Sequence, residues 1–130
     1  MKNLFFALLT VSMLSTAFVA PKPKINDIEW NETTHNFGDI PLGPEAKFDF
    51  VFKNKRKDKL SVKKVEPGCS CTISSFTADP VKKNKKGSIT ATYKTEGRPG
   101  FFKKYIQVTF EDGRTQELII TGNVVPAPVH

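Results

Sequence analysis

Two cysteines one residue apart, Cys69 and Cys71, are the only thiols in the chain and the residues whose spacing most directly suggests chemistry. In an extended strand residues i and i+2 point to one face with Cα atoms about 6.6 Å apart, at the outer limit for a disulfide. A bridge across Ser70 therefore needs that residue pulled into a tight turn, and it closes too short a loop to add much chain entropy. Four readings stay open. The pair is a local disulfide or two packed thiols belonging to the fold, or a soft-metal site in which two thiolates hold Cu(I) with His35 as auxiliary ligand. Alternatively it exchanges disulfides with a client, given a thiol pKa lowered by Lys63 and Lys64, or it pairs with another chain. Structural Zn asks for four ligands where the sequence offers two cysteines, one internal histidine and a carboxylate such as Glu66.

Hydrolytic chemistry finds little support. His35 is the only histidine inside the expected domain, since His130 ends the chain in a Pro-rich tail. A cysteine nucleophile with His35 as base would need a third, orienting group and a pocket that a small domain seldom supplies. Gly-x-Ser-x-Gly, Walker and His-Glu-x-x-His patterns are absent. The expectation is a protein that is not an enzyme.

Charge offers the second candidate site. The chain carries 20 Lys+Arg against 13 Asp+Glu, a formal charge of +7. Lys53, Lys55, Arg56, Lys57 and Lys59 cluster around one turn, and Lys82, Lys83, Lys85 and Lys86 around another. Such clusters raise the local potential and suit an anionic glycan, lipid head group or other anionic polymer. The competing reading is solvated turns and edge lysines that block aggregation. Nucleic acid is disfavoured, because Phe48, Phe50 and Phe52 alternate as core rather than as a stacking platform.

The elements that must position these residues read as β throughout. A chain of 130 residues with 11 Phe, 2 Tyr and 1 Trp can bury one ordinary core without a disulfide framework. Lys2 followed by the apolar run Leu4 to Val19 reads as an export signal, with small Ser15 and Ala17 at the cleavage positions. Residues 1–17 are then the signal peptide, 18–24 an extended leader, 25–125 the folded domain and 126–130 a tail. No membrane span is expected once the signal is removed. Ala46, Phe48, Phe50 and Phe52 alternate with mostly polar residues as one half-buried strand. Further strands are expected at Ile25 to Trp30, His35 to Phe37, Leu60 to Val65, Ser70 to Phe76, Ser88 to Thr95, Lys103 to Glu111 and Thr115 to Asn123. Seven or eight short strands with frequent turn residues predict an immunoglobulin-like antiparallel β-sandwich. In the last hairpin a two-residue Asp112-Gly113 turn would set Val108 opposite Glu117 and bury a carboxylate. A three-residue loop Glu111-Asp112-Gly113, with Gly113 left-handed, keeps Leu118 and Ile120 on the core face.

Phe37-Gly38-Asp39-Ile40, Gly43, the Phe-rich strand, Leu60 to Val65, Cys69-Ser70-Cys71-Thr72, Gly87 to Tyr93, Gly100 to Lys104 and Gly122-Asn123-Val124 follow one another in an order that resembles domain of unknown function 1573. The likeness runs from about Thr34 to Val125. It implies a small exported bacterial domain with an immunoglobulin-like sandwich and no agreed activity. Ser70 stands where Gly is common in that family, and the turn before Gly87 is Lys-rich where Pro-Gly is usual.

The combined reading is an exported, non-enzymatic binding or assembly module of the cell envelope, in the periplasm or secreted, whose partner is a protein or envelope component. The alternatives are a Cu(I)-binding or thiol-redox protein acting through Cys69 and Cys71, and a binder of an anionic polymer through the lysine turns.

Overall fold

Alternation at period two puts Ala46, Phe48, Phe50 and Phe52 on one face of a strand, and that face must be covered by a second layer. The computed structural model describes residue 17 and residues 27–127. Eight strands follow in chain order: β1 (Ile28–Trp30), β2 (Thr34–Pro41), β3 (Ala46–Asn54), β4 (Val62–Pro67), β5 (Thr72–Phe76), β6 (Lys86–Tyr93), β7 (Gly100–Phe110) and β8 (Thr115–Val125). They form two four-stranded sheets, ordered β1-β3-β6-β5 and β2-β8-β7-β4, the immunoglobulin-like sandwich expected from the pattern. No helix among the described residues is long and apolar enough to cross a membrane. The expected leader 18–24, the tail residues 128–130 and nearly all of the signal segment lie outside the described residues.

The core lies between the sheets. Phe50, Phe52 and Ile89 from the first meet Ile106, Val108, Phe110, Leu118 and Ile120 from the second, all fully or almost fully buried. Burial of each such side chain contributes about 1.5–3 kcal/mol. Trp30, Phe52 and Phe110 pack together as one aromatic group. A second line of rings runs Tyr93, Phe102, Phe37, His35, Phe48, Phe50.

The last hairpin has the expected register. Val108 faces Gln116 and Ile106 faces Leu118, Phe110 N–H donates to Arg114 C=O at 2.9 Å, and Gly113 takes a φ of 87°. Even-numbered residues of both strands thus share the core face.

One pairing departs from the antiparallel expectation: β2 runs parallel to β8. Its cause is local. Asn31 ends β1 by donating its N–H to Val51 C=O and accepting the Val51 N–H on Oδ1. The chain then crosses to the other sheet, where Thr33 C=O accepts the Ile119 N–H. A bulge between Asn36 and Asp39, eased by Gly38 at φ 67°, lets β2 run on to Pro41, beyond the expected Phe37.

Candidate functional site

β4 and β5 belong to different sheets, so the chain between them must turn a corner, and the cysteine pair is that corner. Gly68 N–H donates to Tyr105 C=O at 2.9 Å. A Cβ on Gly68 would lie 3.2 Å from the same carbonyl oxygen, which favours glycine at that close approach. Thr72 N–H closes the turn on Cys69 C=O at 3.3 Å, pulling Ser70 out of extended geometry. The two Cα atoms stand 5.3 Å apart and the sulfurs are joined as a disulfide. Cys71 is buried and Cys69 half-buried. The Thr72 hydroxyl lies 3.7 Å from Cys69 Sγ and 3.9 Å from Cys71 Sγ. With both sulfurs bonded, it is the hydroxyl that donates.

His35 is held elsewhere by other partners. Its ring stacks on Phe48 with centroids 3.6 Å apart, meets Phe37 edge-on, and places Nδ1 2.9 Å from Glu32 Oε1. Among the described residues no three His, Cys, Asp or Glu side chains gather as a metal site, so His35 is not grouped with Cys69 and Cys71. Lys64 reaches Glu66 at 3.0 Å.

The two lysine turns come together, and Asn54 is the reason. Fully buried, it donates from Nδ2 to Asp58 C=O and Val81 C=O, each at 2.8 Å, and accepts the Arg56 N–H on Oδ1. Its own N–H donates to Lys85 C=O while its C=O accepts from Asn84 N–H. Five bonds from one residue tie the turn after β3 to the loop before β6. An Asn in a Lys-rich turn reads as a surface residue, so sequence reasoning passed over it. Within this basic end Lys55 is paired to Glu29 at 2.5 Å, and its hydrogen bond holds the Glu29 carboxyl below the usual range. Arg56 is taken up by Asp27 and Asp112. Lys82, Lys83, Lys85 and Lys86 are exposed and, among the described residues, make no ion pair.

A third feature concerns the sheet edges. β1 is three residues long and carries Glu29. β2 has a bulge and ends in Pro41, and β4 carries Lys63, Lys64, Glu66 and Pro67. Charge, proline, bulges and short length are the devices that keep edges from pairing with other chains. β5 is Thr-Ile-Ser-Ser-Phe and has none of the first three. Thr77 N–H to Ser88 C=O and Lys94 N–H to Cys71 C=O fix the alternation of the β5·β6 ladder. The N–H and C=O of Ser74 and Phe76 therefore turn away from β6. Ile73 is 47% and Phe76 37% exposed, and Ser74 Oγ is buried without a hydrogen-bond partner. The available signal was the run from Thr72 to Ala78, free of charge and proline in a chain otherwise crowded with both.

Residues 28–124 match the family described as "Protein of unknown function (DUF1573)". No curated protein matches the sequence. Solved structures similar in fold include a protein of unknown function from Porphyromonas gingivalis W83, at TM-score 0.65 and 12% identity. That match covers 75% of this chain and 46% of the other, so the chain spans about half of that relative. The ASH/PapD-like domain 7 of human CEP192 superposes at TM-score 0.65 and 13% identity over 88% of this chain and 97% of that one. A variant of the SrpA adhesin of Streptococcus sanguinis does so at TM-score 0.54 and 13% identity, over 76% of this chain and 59% of that one.

Proposed function

The chain belongs to the DUF1573 family, and from that premise we propose that it works as an exported, non-enzymatic binding module of the cell envelope that docks a protein partner along β5. The observation that carries this reading is the open β5 edge: uncharged, with outward-facing amide groups at Ser74 and Phe76 and exposed Ile73 beside them. Export is supported by Lys2 and the apolar run Leu4 to Val19, and by an adhesin among the similar folds. A role without catalysis is supported by the engagement of both cysteines with each other and of His35 with Phe48 and Glu32. The test places a photo-crosslinking residue at Ile73 or, as control, at exposed Gln107 of the other sheet, in cells of the source organism. Discrete protein adducts from position 73 alone are expected. Equal adducts from both positions, or none from either, would remove the reading.

A second reading is favoured by the bonds of Asn54. They unite two separate lysine turns into one basic end, which supports binding of an anionic polymer. Retention on immobilised polyglutamate that falls with salt, and falls further in a Lys82→Glu, Lys83→Glu variant, is the expected result.

A further inference from the structure

Resting on the reading of β5 as a docking edge, we infer that its occupant is an extended segment of a partner protein that adds a strand beside β5 and carries acidic side chains at its ends. Three observations lead there. The first is the arrangement of free backbone groups. Ser74 and Phe76 offer outward N–H and C=O groups, while the Thr72 N–H is already bonded to Cys69 C=O. An added strand gains its affinity from such main-chain bonds.

The second is what lies on either face. Thr72, Ser74 and Phe76 pair with Tyr93, Ala91 and Ile89 and so face the core, whereas Ile73 and Ser75 pair with Thr92 and Thr90 on the outer face. An incoming strand would cover exposed Phe76 with one side chain and Ile73 with another. A hydroxyl placed opposite Ser74 would satisfy the orphaned Oγ, since Ser and Thr hydroxyls bond across neighbouring strands.

The third is charge. The Lys94 N–H donates to the Cys71 C=O, which sets Lys94 at one end of the edge, in a pocket it shares with Arg98, Glu45 and Glu96. Lys82, Lys83, Lys85 and Lys86 follow the other end, with Asp79 the one acidic residue between. This complementarity selects an acidic segment over a second copy of the chain. Two copies paired antiparallel at β5 would bring the lysine loop of one toward Lys94 of the other, and the whole chain carries +7.

The test measures binding of two synthetic peptides, acetyl-Glu-Glu-Thr-Val-Thr-Val-Glu-Glu-amide and its counterpart with Lys in place of Glu. It uses the wild-type protein and two variants. Ser74→Pro deletes an outward N–H without touching a β6 bond, a position where an edge strand tolerates proline. Ile73→Lys adds an edge charge, and thermal melts confirm that both variants are folded. The expected result is binding of the acidic peptide alone, weakened about tenfold or more by either variant and weakened by salt. Equal binding of both peptides, binding unaffected by Ser74→Pro, or no binding overturns the inference. So does a concentration-dependent dimer that Ser74→Pro abolishes, which would assign the edge to a second copy. Crosslinking at Ile73 separates the two levels. Adducts that persist when the acidic peptide fails to bind remove the acidic segment and leave the docking edge standing.

Discussion

Tyr93 and Phe102 lie almost flat against one another, ring centroids 3.8 Å apart and planes within 13°, and this stack joins the two sheets close to the disulfide corner. Tyr93 pairs with Thr72 of β5, and burial pushes its hydroxyl pKa up. Phe102 lies opposite Gly122. A Cβ at Gly122 would come within 2.7 Å of the Phe102 ring. Because that ring is clamped by Tyr93, it cannot step aside. Gly122→Ala should destabilise by about 1–3 kcal/mol, as overpacking does, read as a lower urea midpoint. Adding Phe102→Leu should recover part of the loss. A wild-type midpoint in the single variant would show the stack to be looser than described.

Asn54 tests the basic end. Asn54→Ala leaves the Asp58 and Val81 carbonyls and the Arg56 N–H without their partner. An unsatisfied buried group costs about 1–3 kcal/mol. The expected outcome is a loss of at least that size in chemical unfolding, together with faster amide exchange across residues 55–59 and 81–85.

The disulfide should matter less to global stability than its burial suggests. A bridge closing three residues removes little freedom from the unfolded chain, about 1–2 kcal/mol on the loop-entropy account. Reduction, or Cys69→Ser with Cys71→Ser, should lower the melting temperature by several degrees while leaving the β signature of the circular dichroism spectrum. Intact mass should be lighter by two hydrogen atoms before reduction. A stoichiometric metal lost in the double variant would instead transfer the corner to metal handling.

Acid should act through Asp112. Its hydrogen bond from the Arg114 side chain, aided by the Arg114 N–H and by Arg56, holds its carboxyl below the ordinary value, which is near 3.9 in unfolded chains. The stability this adds is complete above that value and is lost as pH falls through the lower folded one. The group is partly exposed, so the effect is about 1 kcal/mol or less. Urea midpoints at successively lower pH should fall more steeply for wild type than for Asp112→Asn.

Legibility from sequence followed the range of the interactions. The Phe48, Phe50, Phe52 alternation and the Glu111-Asp112-Gly113 loop depend on neighbours a few residues away, and both formed as read. Exposure of Phe101, at 77%, beside buried Phe102 follows from the same alternation. The strand expected from Ser70 begins only at Thr72, because the corner claims the two residues before it. What stayed hidden depends on distant partners. Arg56 looked like part of a free basic turn until Asp27 and Asp112 met it. Asn54 looked like one more surface residue of a Lys-rich turn, His35 like a spare ligand, and β2 like a short antiparallel strand.

That last strand sets the order in which the molecule can be completed. Thr34 meets Ile119, about 85 residues along the chain, a closure that costs on the order of 4 kcal/mol of chain entropy. β2 has no sheet to join until β8 exists. A chain still emerging from a ribosome holds its first long strand in waiting until Thr115–Val125 has followed it out.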